Sequence, residues 1–184
     1  MTRIDILLRN WRIAMAVGEL SGIRHLLDIG CLDGYLLLKL QPQLERGTGI
    51  DPLAEPGTPA ANIALVKGYF PDALGPQPQP FEAITALALI EHLPDNEAVL
   101  QFFTQCHRCL VPGGRVVATI PHPWVDAILW LLKKLRLVKG MSTEEHHGYP
   151  VNQTTVIAQQ AGFKLVKRRR FQLGLNNLFV FTRL

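Results

Sequence analysis

The stretch Leu26-Leu27-Asp28-Ile29-Gly30-Cys31-Leu32-Asp33-Gly34 decides the fold of this chain. An apolar run that ends in an acid and two glycines predicts a buried strand of a parallel sheet, then a tight turn and the start of a helix. Glycines suit the turn because they let the backbone approach a ligand closely. A second strand is predicted to end at Ile50-Asp51-Pro52, where the Asp51 carboxylate can accept hydrogen bonds from both hydroxyls of a ribose. Together the two strands predict a site for a ligand that carries a nucleoside.

The spacing of the glycines narrows the kind of ligand. A dinucleotide-binding turn reads G-x-G-x-x-G, whereas Gly30 and Gly34 flank Leu32 in a wider turn that fits a zwitterionic amino-acid tail. Together with Asp28, this turn resembles motif I of the class I S-adenosylmethionine-dependent methyltransferases, whose usual form is acid-x-Gly-x-Gly-x-Gly. Leu32 departs from that form. Because leucine is disfavoured at positive φ, either the turn avoids that region or the cofactor site is impaired.

Two later stretches resemble the same family. The segment from Phe81 to Leu93 is similar to motif IV of the small-molecule branch, with an aromatic-acid pair at its start and Glu91-His92-Leu93 at its end. The segment from Leu110 to Val117 contains the Pro-Gly-Gly turn that leads into the next strand. The resemblance implies an α/β, Rossmann-like fold with a mostly parallel seven-stranded sheet, helices on both faces and an antiparallel C-terminal strand.

The resemblance also implies a cofactor, S-adenosyl-L-methionine, and the residues that bind it. These residues lie in the motif I turn and at the ends of the second, third and fourth strands. They are Asp28, Gly30, Cys31, Gly34, Asp51, Pro52, Gly68, Tyr69, Ala86 and Leu87. Tyr69 stands where the family often has an acid that contacts adenine. It is therefore expected either to contact the base or simply to cover the edge of the sheet.

The chemistry that the resemblance implies is an in-line displacement at the sulfonium methyl group, in which the enzyme mainly orients the acceptor. A base is needed only for a protonated acceptor, and His92, His122 and His147 are the candidates. For His92 a structural role is the alternative. The cysteines of Cys106-His107-Arg108-Cys109 and the paired His146-His147 lack a second set of ligands, so we expect no metal.

Length and composition set the class of protein. The chain of 184 residues is expected to be one domain, and its 48% apolar content excludes disorder. Three cysteines without disulfide spacing, and charged Arg3, Asp5 and Arg9 where a signal peptide would be apolar, predict a cytoplasmic protein. A net charge of +4 is mild for a nucleic-acid binder. A small molecule is the expected substrate, and nucleic acid is the alternative.

The flanking segments complete the prediction. An amphipathic helix over residues 4–20 is expected to pack near the cofactor site, and a crossover helix is expected from Asp33 to Leu44. The prolines between Asp51 and Asn62 predict a turn or loop where a helix usually connects two strands. Near the C-terminus, residues 162–170 and 178–183 predict a hairpin.

Within residues 122–150, the stretch from Trp124 to Val138 is strongly apolar. It is too short, and too often interrupted by Lys133, Lys134 and Arg136, to cross a membrane. We expect residues 122–150 to form a lid insertion over the substrate, which implies a partly apolar substrate. A homodimer surface or a peripheral membrane contact is the alternative. A domain that keeps the fold and has lost turnover is a rival to the enzyme.

Overall fold

The computed structural model of this chain describes residues 3–75, 80–122 and 152–184. The strands are β1 (His25–Ile29), β2 (Arg46–Asp51), β3 (Gly57–Ala60), β4 (Ile63–Lys67), β5 (Phe81–Leu87), β6 (Leu110–Pro121), β7 (Phe163–Phe171) and β8 (Asn176–Arg183). The helices are α1 (Arg3–Val17), α2 (Tyr35–Leu40), α3 (Asn96–Cys109) and α4 (Gln153–Gln160), with short 3₁₀ turns at Asp72–Leu74, Ile90–His92 and Gln172–Gly174. None of these described helices has an apolar stretch long enough to cross a membrane.

All of these strands form one sheet in the order β3-β4-β2-β1-β5-β6-β8-β7. Strands β4, β2, β1, β5 and β6 are parallel, so their carboxyl ends lie along one edge, which we call the carboxyl edge. Strand β8 is antiparallel to both β6 and β7, so β7 also ends at the carboxyl edge. The predicted mostly parallel α/β sheet and its antiparallel C-terminal strand are confirmed.

The sheet separates two apolar cores, one on each face. Helices α3 and α4 contribute to the first core, where the ring of Phe103 contacts the rings of Phe163 and Phe181 at centroid distances of 5.7 and 5.3 Å. Helices α1 and α2 contribute to the second core, which includes Ile13 and Leu37. Because alternate residues of a strand face opposite sides, a strand such as β6 contributes to both cores, with Val116 in the first and Val117 in the second.

The prediction of seven strands is wrong, because the sheet has eight. The additional strand is β3, which pairs antiparallel with β4 at the edge of the sheet. The prolines of this segment do exclude a helix, but an edge strand accepts Pro59, since one side of such a strand needs no ladder hydrogen bonds. The proline-rich segment therefore forms one strand of a short β3–β4 hairpin, which the sequence analysis did not predict.

Helix α2 is shorter than the predicted span from Asp33 to Leu44. It begins at Tyr35, after Gly34, and the Asp33 side chain accepts a hydrogen bond from the Tyr35 N–H at 3.2 Å. Helix α3 is capped by Asp95, whose side chain accepts from the Ala98 N–H at 2.8 Å. The expected lid lies outside the described residues except for His122.

Candidate functional site

A cavity of about 320 Å³ opens at the carboxyl edge, where open α/β sheets bind their ligands. Its walls come from α1, from the turn after β1 with the start of α2, and from the end of β5. Four of the implied cofactor-binding residues line it, namely Asp28, Gly30, Cys31 and Leu87. The expectation that the first helix packs near the site is met, because α1 supplies one wall.

The turn after β1 enters the left-handed region at every second residue. The φ angles are 80° at Gly30, 48° at Leu32 and 69° at Gly34. A Cβ at position 34 would also lie 2.9 Å from the side chain of Leu65, so backbone conformation and space both demand glycine there. The idea that the turn avoids positive φ at Leu32 is therefore wrong.

Leu32 is held in this conformation by a hydrogen bond from outside the turn. Its N–H donates to Oδ2 of Asp51 at 3.0 Å. A left-handed leucine costs about 1–2 kcal/mol, whereas a hydrogen bond to a charged group contributes about 1.5–3 kcal/mol. The second effect is large enough to offset the first. The Leu32 side chain lines the cavity and is 43% exposed.

Asp51 joins the ends of three strands. Its other carboxylate oxygen, Oδ1, accepts from the Leu53 N–H at 2.7 Å, and its backbone carbonyl accepts from the Gly68 N–H at 3.2 Å. The side chain is buried, so these amides fix its orientation. Each carboxylate oxygen has a second lone pair. Asp51 can therefore still accept hydrogen bonds from a diol.

Asp28 is the buried acid of the cavity. It is 4% exposed, and the Thr85 hydroxyl lies 2.6 Å from its Oδ1. The pKa of Asp28 is raised to about 7, chiefly by burial and to a smaller extent by the charges of Asp51 and Asp33, while the hydrogen bond from Thr85 opposes the rise. Near neutral pH the carboxyl group is thus divided between its two forms. A cation in the cavity would favour the ionised form.

Two arginines of α1, which the sequence analysis did not assign to the site, line the same cavity. Arg9 donates to Oδ2 of Asp33 at 2.8 Å, and its guanidinium lies 5.0 Å from the ring centroid of Tyr35. Arg12 lines the cavity, and burial lowers its pKa while the charge of Glu91 opposes the change. The helical spacing of the two arginines was a usable signal, because it places both beside the apolar face of α1.

The remaining implied residues have different settings. Ala86 is fully buried between β1 and β6, and Tyr69, after β4, is 74% exposed and does not line the cavity. The thiol of Cys31 points into the core, since a Cβ at Gly49 would lie 2.7 Å from its Sγ, and burial raises its pKa to about 12. Cys31 therefore offers the site its backbone, not a thiolate.

Two of the three candidate bases belong to the described residues. His92 is exposed in the 3₁₀ turn after β5, and the His122 N–H donates to the Leu175 carbonyl at 2.9 Å just beyond β6. Both positions follow parallel strands at the carboxyl edge, but neither lines the cavity. His147 lies outside the described residues. In the described ranges, no group of three or more His, Cys, Asp or Glu side chains could hold a metal ion.

Comparison with known proteins identifies the family. Residues 7–168 match the family model described as a methyltransferase domain. The chain belongs to the methyltransferase domain family. The match begins within the first half of α1 and ends within β7.

Methyltransferase-domain relatives include curated proteins from several bacteria. The ubiquinone biosynthesis O-methyltransferase of Xylella fastidiosa strain M23 is 37% identical over 111 residues, which cover 55% of this chain and 44% of that protein. The protein of the same name from Serratia proteamaculans strain 568 is 26% identical over 186 residues, covering 95% of this chain and 73% of the relative. The chain spans about half the length of the first of these relatives.

Solved methyltransferase structures share the fold. The N-methyltransferase NodS of Bradyrhizobium japonicum WM9, in complex with S-adenosyl-l-homocysteine, has a TM-score of 0.63 at 18% identity, covering 95% of this chain and 85% of NodS. A methyltransferase from Mesorhizobium loti has a TM-score of 0.67 at 19% identity, covering 93% and 95% of the two chains. At these identities the likeness concerns the fold.

The buried carboxyl group of Asp28 gives a test based on stability. The pKa of Asp28 is about 7 in the folded chain, above its value in the unfolded chain. The contribution of Asp28 to the unfolding free energy is therefore fully present below the ordinary pKa of aspartate and is lost as pH rises through 7. We expect Asp28→Asn to remove this loss. Its gain in unfolding free energy should be small near pH 4 and approach about 4 kcal/mol at pH 8.

Urea unfolding between pH 4 and pH 8 measures this gain. Asp72→Asn, a change of an exposed aspartate, is the matched control and should show no such rise. A gain from Asp28→Asn that does not change with pH would contradict the prediction.

The left-handed Leu32 gives a second test. Leu32→Gly should raise the unfolding free energy by up to about 1 kcal/mol relative to Leu32→Ala, because glycine removes the left-handed strain and alanine keeps it. Leu32→Asn should fall between them, since asparagine tolerates this region. Denaturant unfolding of the three variants gives the order. Equal stability of the glycine and alanine variants would show that position 32 is not strained.

Proposed function

We propose that this chain transfers the methyl group of S-adenosyl-L-methionine to a small, partly apolar molecule by in-line displacement. The observation that carries the proposal is the match of residues 7–168 to the methyltransferase domain. The cavity beside the β1 turn also supports it, because both arginines (Arg9 and Arg12) and acids (Asp28 and Asp33) line this cavity.

The residues of the cavity fit the amino-acid end of this cofactor. Nε of Arg12 is buried, and within the described parts of the chain it has no hydrogen-bond partner. A carboxylate bound there would supply one, and the forked guanidinium suits that group. The ionised form of Asp28 would pair with the ammonium group. The two side chains line the same cavity, so a zwitterion could contact both.

The nucleoside end has its own candidates. Asp51 retains acceptor sites for the two ribose hydroxyls, as the sequence predicted. Leu53 and Tyr69 follow β2 and β4 and are 75% and 74% exposed, which leaves large apolar surfaces at the carboxyl edge. An adenine ring laid against them would remove that surface from water. In this proposal Gly30, Gly34, Pro52 and Gly68 shape the backbone around the ligand.

Bound S-adenosyl-L-methionine supplies an electrophilic methyl group whose leaving group, a neutral sulfide, needs no acid. The chain's part is to hold the acceptor in line with the breaking bond and to keep water away. His92, His122 and His147 are the proposed bases for an acceptor that must lose a proton. The first two lie where β5 and β6 end, which supports their candidacy.

The substrate is proposed from the relatives' names and from the chain's own sequence. The curated relatives are called ubiquinone biosynthesis O-methyltransferases, which favours a hydroxyl oxygen as acceptor. The apolar segment after His122 favours a substrate with apolar bulk. We also propose a cytoplasmic location, which the free thiols of Cys31, Cys106 and Cys109 support.

A cofactor-binding domain without turnover is the second candidate. The observations that favour it are the leucine at position 32, where the motif has glycine, and the apolar pair Ala86-Leu87 at the end of β5. Titration calorimetry and a transfer assay separate the two candidates. Binding together with methyl transfer supports the enzyme, and binding without transfer across a broad panel of hydroxylated acceptors supports the rival.

The contact between the cofactor and α1 is testable. Arg12→Gln should weaken binding of S-adenosyl-L-homocysteine by about tenfold to a hundredfold, because a charge-assisted hydrogen bond contributes about 1.5–3 kcal/mol. Binding to the wild type should weaken as pH falls below about 7, where Asp28 becomes protonated. Lys164→Gln, on the exposed start of β7, is the matched control. Unchanged binding by Arg12→Gln would remove the residue from the site.

The proposed bases are tested by separating chemistry from binding. For a hydroxylated acceptor, replacing the catalytic histidine with Gln should lower kcat by at least about a hundredfold while the affinity for S-adenosyl-L-homocysteine stays constant. His92→Gln, His122→Gln and His147→Gln are compared in the same assay. If all three variants keep the wild-type kcat, none of these histidines is the base.

A further inference from the structure

The turn between β7 and β8 holds three consecutive residues in the left-handed region. The φ angles are 51° at Gln172, 57° at Leu173 and 87° at Gly174. Only the last is a glycine, so the first two are strained. Leu173 is 96% exposed, which makes it the most exposed of the large apolar side chains for which exposure is described. The fold thus accepts strain in a turn that presents an isobutyl group to solvent.

This strained turn is fixed to helix α1. Gln172 is buried, and its Nε2 donates to the Leu8 carbonyl at 2.8 Å. Its Oε1 accepts from the Asn176 side chain at 3.2 Å, and its backbone carbonyl accepts from the Leu175 N–H at 3.0 Å. The exposed leucine is therefore held in place by its neighbour. Strain of this kind, maintained by surrounding contacts, is typical of functional positions.

Helix α1 adds further exposed apolar side chains. Leu7 and Trp11, one helical turn apart, are 64% and 43% exposed, while Ile13 on the inner side is buried in the core. The bond from Gln172 to Leu8 brings the strained turn to this half of the helix. We call Leu7, Trp11 and Leu173 the apolar rim.

The apolar rim lies at the same edge of the sheet as the candidate site. Strand β7 runs with the parallel strands, so the turn that follows Phe171 emerges at the carboxyl edge. Helix α1 carries both Trp11 and the cavity residues Leu8 and Arg12. A surface that covered the rim would therefore stand beside the mouth of the cavity.

Two cations stand behind the rim. Arg170 and Arg169 are exposed near the end of β7, roughly 10 and 13 Å along the chain from Leu173 at about 3.3 Å per strand residue. The preceding cations are engaged, because Lys167 pairs with Glu19 at 2.7 Å and Arg168 lies over the Phe179 ring. Across residues 3–75, 80–122 and 152–184, neither Arg169 nor Arg170 has an ion pair.

We propose that the apolar rim, backed by Arg169 and Arg170, docks on the surface of an anionic lipid bilayer. Side chains of this apolar kind enter the boundary between headgroups and acyl chains to a depth of about 5–10 Å, and cations at that distance behind them meet the phosphates. Tryptophan is enriched at this level of a membrane. A nucleic-acid partner would account for the exposed arginines, but it would not account for the exposed leucines. A second copy of the chain would carry the same cations to the interface.

The proposal does not rest on the proposed function, because it involves neither cofactor nor methyl transfer. If both hold, the mouth of the cavity faces the layer in which an apolar substrate dissolves. The reaction then draws its acceptor from the bilayer and not from the surrounding water.

Sedimentation with vesicles tests the proposal on the full chain. Wild-type protein should bind vesicles of equal phosphatidylglycerol and phosphatidylcholine, and should bind pure phosphatidylcholine much more weakly. Leu173→Asn should reduce partitioning by about tenfold, since it removes a leucine from the apolar phase. Asparagine tolerates left-handed φ, so the turn should keep its shape. The double change Arg169→Gln with Arg170→Gln should reduce partitioning by at least about tenfold.

Matched controls lie at the opposite edge of the sheet. Leu184, which follows β8 and is 75% exposed, and Lys164, at the start of β7, lie there because the two strands are antiparallel. Leu184→Asn and Lys164→Gln should bind vesicles as the wild type does. Equal binding by Leu173→Asn and Leu184→Asn would overturn the proposal, as would equal binding to anionic and neutral vesicles. A lipid-free dimer that Leu173→Asn dissociates would also overturn it, by assigning the rim to a second copy.

Discussion

The carboxylate of Asp51 is the constraint on which the rest of the site depends. Its two oxygens accept from the amides of Leu32 and Leu53, and its backbone carbonyl accepts from Gly68. The segments that follow β1, β2 and β4 are thereby fixed to one another. The left-handed conformation of Leu32 follows from this arrangement, because the hydrogen bond orients its amide toward Asp51.

The site has charges in place before any ligand is present. Asp28 is buried and its Oδ1 lies 2.6 Å from the Thr85 hydroxyl, and Arg12 lines the same cavity from α1. Keeping such groups away from water destabilises the fold, and their perturbed pKa values record that cost. A zwitterionic ligand would give each charge a partner. The stability of the empty protein and its affinity for the ligand are therefore opposed at these residues.

The parts of the site that could be predicted from the sequence are those that depend on a motif of a few consecutive residues. Asp28 to Gly34 and Asp51 lie at the carboxyl ends of β1 and β2, and parallel strands bring these ends together. The φ of Leu32 could not be predicted, because it depends on an acid 19 positions away. Arg9 and Arg12 were missed for a similar reason, since only packing of α1 against the sheet brings them to the cavity. Strand β3 was missed because its prolines are tolerated only at an edge.

The packing of Cys31 against Gly49 has a consequence for how the turn can be followed in solution. The thiol is buried against Gly49, so a bulky alkylating reagent reaches it only when the turn lifts from the strand below. The rate at which this sulfur is modified therefore reports the local opening of the segment. Alkylation of Cys31 can therefore be used to follow local opening of the turn after β1, without any label that would alter the cavity.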